Sequence, residues 1–152
     1  MKNFLAAYQS KGLIKKEKIG FDQVIKYINR ARKDLSVAEE NLKIDTEASY
    51  NYAYLAMLRT GRALMLSHGF RPAGGQQHKT VVDFSRYILG REYPAPVQKF
   101  DRMRKKRNCF TYDEPDMLVS DTETKNALLA ARDFVNKASE YIQDKNPQLK
   151  LF

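Results

Sequence analysis

Apolar positions recur along this chain with the period of an α-helix, and no alternating stretch is long enough to mark a strand. Val24, Ile28, Ala31, Leu35, Ala38 and Leu42 step by four and three in turn, a narrow seam suited to lying along another long helix. From Thr46 to His68 the apolar residues fall on nearly every side, among them Tyr50, Ala53, Tyr54, Met57, Leu58 and Leu64, which predicts the most buried helix, stopped by Gly69. Residues 70–77, FRPAGGQQ, hold a proline and two glycines and read as a loop. A shorter helix follows, with Val81, Val82, Phe84, Ile88 and Leu89 apolar and Gly90 at its end. Pro94 and Pro96 precede a basic helix that Pro115 breaks, and Ser120 with Glu123 has capping-box spacing ahead of the last apolar series, Ala127 to Ile142. The expected helices span about 21–44, 46–68, 78–89, 95–112 and 121–144. Their short connections favour antiparallel neighbours, so the pattern predicts an all-α, up-and-down bundle of four to five helices over residues 21–145, with a basic N-terminal segment at 1–20 and a short tail at 146–152.

The length of 152 residues suits one domain with a real core. No apolar run approaches the roughly 18 residues that cross a bilayer, and the N-terminus lacks the apolar region of a signal peptide, so the expectation is a cytoplasmic protein with no membrane association. Cys109 is the single cysteine, which excludes an intramolecular disulfide. With His68 and His78 as the only histidines, no zinc set is expected and no cofactor is called for.

Charge changes the picture. The formal net charge is +9, and two segments carry nearly all of it. Residues 1–20 set five lysines against Glu17, and residues 99–113 set six cations against Asp101 and Asp113, leaving a near-neutral body. That distribution fits an anion-binding surface, with nucleic acid the commonest anionic partner; it equally fits a solvated basic face offset by acidic neighbours in the fold. Arg102, Arg104, Lys105 and Lys106 are the candidate phosphate contacts. Arg107 differs from them. On a helix it falls about 20° from Phe100, inside the stripe of Val97, Phe100, Met103, Phe110 and Thr111. A core-facing guanidinium needs an acceptor, either an internal carboxylate such as Asp34 or an anion in a site.

Conventional catalytic signals are missing. Gly74 and Gly75 lack the lysine and threonine of a phosphate-binding loop. His68, near the end of the central helix, reads as a helix-end or core histidine, and His78 as either a capping or packing residue or a general acid or base. The aromatic residues interleaved with cations between 84 and 112 read either as core or as stacking platforms for bases. Arg107, Asn108 and Tyr112 spread over about 140° of one helix side, and together a guanidinium, an amide and a phenol can grip a phosphodiester.

These features resemble the HEPN domain family (higher eukaryotes and prokaryotes nucleotide-binding), in its small stand-alone prokaryotic branch. The resemblance rests on Ala31, Asp34, Leu35, Ala38 and Leu42, on the central NYAYLAMLRTGRALMLSHG, on HKTVVDF from His78 to Phe84, and on Arg107 with Tyr112; it covers about residues 24–143. It implies a bundle of four or five helices that forms a homodimer, with a minimal nucleotidyltransferase and RNA as partners, in a toxin-antitoxin or defence module. Family members with an arginine followed after four to six residues by histidine are metal-independent ribonucleases, and their motif commonly begins Arg-Asn, as Arg107 and Asn108 do. Here Tyr112 fills the histidine position, and a phenol with a pKa near 10 is a poor base at neutral pH. Two readings follow: a non-catalytic or weakly active subunit that binds RNA or a nucleotidyltransferase, and an endoribonuclease using Arg107 with Tyr112 or His78. The lost histidine favours the first.

Overall fold

The computed structural model describes the backbone of residues 2–112 and 119–152 and the side chains of 3–108 and 119–152. Six helices and one pair of three-residue strands make up the described residues. In order they are α1 (Lys2–Ser10), β1 (Ile14–Lys16), α2 (Phe21–Asn41), α3 (Thr46–Ser67), β2 (Phe70–Pro72), α4 (Gln77–Leu89), α5 (Pro94–Tyr112) and α6 (Asp121–Lys145). The fold is all-α, and the five expected helices are present within a few residues of their expected ends. None of the described helices is long and apolar enough to cross a membrane.

Cross-helix bonds give the directions. Arg59 pairs with Asp34 and the Ser49 hydroxyl donates to the Ala38 carbonyl, so residue numbers fall along α3 as they rise along α2 and the two are antiparallel. Arg86 meets Asp101 across α4 and α5 at 3.5 Å, while Lys106 meets Glu123 and Phe100 meets Phe134 across α5 and α6, so each of these pairs is antiparallel too. Helix α3 lies at the centre. Tyr50, Ala53, Tyr54, Ala56, Met57, Ala63, Leu64 and Met65 on it are at most 1% exposed, and the chain covers this helix by itself. Gly61 explains how close α4 comes: a Cβ there would run into the Val81 side chain and crowd the Ser85 hydroxyl.

The end caps follow local chemistry. The Asp45 carboxylate accepts from the Ala48 amide at the start of α3 at 3.2 Å, and the Ser120 hydroxyl accepts from the Glu123 amide at the start of α6 at 3.0 Å. Ser120 makes its half of the expected capping box, while the Glu123 carboxylate is engaged by Lys106.

Both terminal segments pack on the bundle. In residues 1–20, α1 lays Phe4 flat on Tyr87 with ring centroids 4.5 Å apart, and the Tyr8 hydroxyl donates to Asp83 at 2.7 Å. Strand β1 then pairs antiparallel with β2 in the register Ile14 to Pro72, Lys15 to Arg71 and Lys16 to Phe70, which puts Ile14 in the core and inserts a strand into the segment read as loop. Three residues are too few to show a period of two, so the hairpin leaves no pattern in the sequence. At the other end Leu149 and Leu151 are buried, and the Leu151 amide donates to the Gln143 side chain at 2.9 Å, so the tail is docked.

Candidate functional site

The hairpin positions the chemistry. Strand β2 runs into Ala73, whose amide donates to the Leu13 carbonyl at 2.8 Å, and the chain then turns through Gly74 (φ 66°) and Gln76 (φ 57°) into α4. Gly74 packs against the Gly12 backbone, 3.0 Å from where a Cβ would sit, so a left-handed φ and a close approach both select glycine there. Helix α4 thus starts with Gln77, His78 and Lys79 at its first turn, and its N-cap residue Gln76 makes no side-chain capping bond to the first amides at the positive end of its dipole.

Helix α5 runs antiparallel beside it and presents Arg104, Arg107 and Asn108, spaced three and four apart on one face. Together with Gln76, Gln77, His78 and Lys79 they line a pocket of about 480 Å³. Tyr54 of α3, fully buried, touches two of these lining residues. Its hydroxyl lies 3.0 Å from His78 Nδ1, and the Arg107 guanidinium carbon lies 5.4 Å from the centre of its ring. Burial raises the Tyr54 phenol to about 12 even though Arg107, Arg104 and Arg62 pull it down, so the phenol keeps its proton. Among the described residues that proton has one hydrogen-bond acceptor, His78 Nδ1. The network therefore assigns Nδ1 as acceptor and places the imidazole proton on Nε2. The His78 pKa is lowered, first by burial and then by Arg107, Arg62 and Arg104, which keeps the ring neutral at neutral pH.

The cations divide by partner. Arg104 donates to Asp101 at 3.0 and 3.2 Å, and Lys105 lies 3.3 Å from the same carboxylate. Burial opposes ionisation of Asp101, but these hydrogen bonds outweigh it and hold the carboxyl below its ordinary range. Lys79 pairs with Asp83 at 2.9 Å, and Lys106 pairs with Glu123. Arg107 and Arg62, in contrast, form no ion pair among the described residues, and Arg62 Nε is buried without a hydrogen-bond partner. Asp34 does not receive Arg107. It is fully buried on α2 between Arg59 and Arg30, the latter 3.2 Å from Oδ1 as an ion pair without the angle of a hydrogen bond.

The structure thus brings Arg104, Arg107, Asn108 and His78 into one pocket. It separates Arg102, which is exposed and lines a shallow groove with Asn126 and Leu129 of α6. The side chain of Tyr112, like that of Cys109, lies outside the described residues. His68 is a helix-end residue, capping α3 and lying 3.1 Å from the Tyr141 hydroxyl through Nε2. Tyr54 and Arg62 act on this cluster, and the sequence reading did not single them out as site residues. The signal was present in the step Tyr54, Leu58, Arg62, which puts a guanidinium on the buried face of the central helix by the same angular logic that marks Arg107. No group of metal-ligating side chains occurs among the described residues.

The guanidinium of Arg107, which has no ion pair among the described residues, a neutral imidazole offering Nε2–H and a helix start without a side-chain cap meet at one cavity, and the charge of Arg62 in the neighbouring cavity adds to its positive potential. Such a set accepts an anion with two or more oxygens, and phosphate fits its donors in number and geometry. No family model and no curated protein sequence matches the chain.

Proposed function

We propose that this chain is a HEPN-like RNA-binding subunit whose pocket between α4 and α5 grips a phosphodiester without cleaving it. The observation that carries this reading is the pairing of Arg107, which has no ion pair among the described residues, with a His78 whose Nδ1 is already taken by Tyr54. With its proton on Nε2, His78 donates to a phosphate oxygen and cannot at the same time receive the proton of a ribose hydroxyl. Inverting the tautomer would leave the buried Tyr54 proton without an acceptor among the described residues, a loss of about 1–3 kcal/mol. Arg107 supplies a two-pronged grip on the same phosphate.

Fluorescence anisotropy with a labelled single-stranded RNA at low salt tests this. The expected result is saturable binding that Arg107→Ala weakens, with the RNA recovered at full length. RNA cleavage by the purified protein that Arg107→Ala or His78→Ala abolishes would replace the binding reading with the endoribonuclease one, for which the closeness of His78 to Arg107 is the supporting observation. Absence of RNA binding at low salt would remove both. The homodimer and a nucleotidyltransferase partner rest on the family resemblance; light scattering that returns 17.6 kDa at micromolar concentration would remove the homodimer.

A further inference from the structure

A second cavity, of about 330 Å³, opens beside the phosphate pocket and shares Gln77 with it. It lies between the start of α2, the second half of α3 and strand β2. Its chemistry differs from that of its neighbour. Tyr27 and Phe70, both half-buried, offer aromatic rings, and the carboxamides of Gln23 and Gln77 offer a donor and an acceptor each. Glu17 at the rim is matched by Arg71 at 2.9 Å, so Lys18 and Arg62 leave the cavity positive. Arg62 links the two spaces electrostatically: it lines this cavity with a buried Nε that has no hydrogen-bond partner among the described residues, and its charge acts on His78 in the other and on Tyr54 behind it. A buried guanidinium nitrogen without an acceptor is expensive, and a ligand carbonyl or phosphate oxygen would satisfy it.

Resting on the phosphodiester reading above, we propose that this cavity receives a nucleobase next to the phosphate held by Arg107 and His78. Aromatic rings with amide groups beside them suit a flat heterocycle that has both hydrogen-bond donors and acceptors. The volume is at the small end for ligand cavities, so it takes one base and not a run of them. Arg62 then faces the base carbonyl or its attached phosphate, and Gln77 contacts both parts of the same nucleotide. Sequence-tolerant stacking combined with two amide contacts gives a preference among bases and not a strict code.

The test compares a five-nucleotide single-stranded RNA with the same sugar-phosphate chain lacking bases, measured by competition against a labelled RNA on the full chain. The wild type should bind the natural oligonucleotide about 5- to 100-fold more tightly, the range that one base stacked on an aromatic side chain supplies. Tyr27→Ala should bring the two ligands to nearly equal affinity. Gln23→Ala, at an exposed position, should narrow the difference in part without disturbing the fold and stands in if Tyr27→Ala does not fold. Arg107→Ala should weaken both ligands. Equal binding of the two by the wild type, with the Arg107 dependence retained, would overturn the base site and leave the phosphate pocket standing. A difference between the ligands that survives both Tyr27→Ala and Gln23→Ala would overturn it as well. Failure of either ligand to bind would overturn the phosphodiester reading and this one together.

Discussion

Arginine enters the interior of this protein in two places, with opposite bookkeeping. At the α2–α3 contact a fully buried Asp34 draws in Arg59 and Arg30, so the charges are matched inside the fold. At the α4–α5 pocket the charges of Arg107 and Arg62 both act on His78, while the carboxylates of Asp101 and Asp83 are occupied by Arg104, Lys105 and Lys79. Both places use the same side chain on the same central scaffold. The matched site consolidates helix packing, because removing one member strands another. The unmatched site is held together by its surroundings despite mutual repulsion of its cations, and its missing counter-charge is what a ligand would bring. Stability should therefore be sensitive at the first and binding at the second.

The largest effect is expected at the matched site. Arg59→Ala leaves the Asp34 carboxylate, 0% exposed, with Arg30 alone, and the loss of one partner from a buried pair costs about 3–5 kcal/mol. For a domain of this size that lowers the melting temperature by about 6–20 °C. RNA affinity of the fraction still folded should be unchanged. A thermal melt within 2–3 °C of wild type, where about 1 kcal/mol would show, would erase the contrast between the two sites.

At the unmatched site the pattern should invert. Arg107→Ala removes a half-buried cation whose described contact is the face of Tyr54, so the stability change should stay within about 1 kcal/mol. RNA affinity should fall about 10- to 100-fold, the value of charge-assisted hydrogen bonds to one phosphate. Thermal denaturation and anisotropy on the same preparation separate the outcomes. A collapsed melting temperature with unaltered RNA binding would make Arg107 a structural residue.

The difference between the two sites was only half legible in the sequence. Helix periods and the breaks at Gly69, Gly90, Pro94 and Pro115 mark five helices, because each is long enough to repeat its apolar face several times. Angular position alone singled out Arg107. What one-dimensional pattern cannot carry is the joining of distant residues: Ile14 pairing with Pro72, which aims the turn at α4, or Tyr54 touching both His78 and Arg107. Asp34 stood out only as a candidate internal partner for Arg107, and which arginine it takes depends on the packing of α3 against α2. The N-terminal segment and the C-terminal tail are too short to repeat an apolar face, so their docking through Phe4, Ile14, Leu149 and Leu151 leaves no extended period.

Proton linkage separates the two sites by a smaller effect. Burial and the surrounding Arg107, Arg62 and Arg104 lower the His78 pKa below 6.5, so the unfolded chain takes up a proton there at a higher pH than the folded one. Stability of the free protein should thus decline as pH drops below about 6.5. A bound phosphate offsets the three cations and raises the His78 pKa, so the complex holds more protons than the free protein in the window between the two values. RNA affinity should accordingly rise as pH falls through that window, by less than tenfold per pH unit because one proton is involved. Binding measured between pH 5.5 and 8 should lose this slope in His78→Gln, and a slope that persists there would assign the proton elsewhere.

The smallest effect concerns the exposed part of the basic helix. If Arg102, Lys105 and Lys106 all met phosphates, replacing the three with alanine would flatten the dependence of log affinity on log salt by close to three units. The fold distributes them otherwise: Lys105 is engaged by Asp101, Lys106 by Glu123, and Arg102 faces α6 and not the pocket. A lysine already neutralised by a carboxylate releases few counterions when a phosphate approaches, since the carboxylate must be displaced first. The triple substitution should therefore flatten the slope by about one unit or less, whereas Arg107→Ala alone should remove about one unit. Salt titrations of the two variants against one RNA give both slopes directly. A loss near three units in the triple variant would mean that RNA breaks the pairs to Asp101 and Glu123 and tracks along the outer face of α5, and the unmatched pocket would then be one contact among several instead of the principal one.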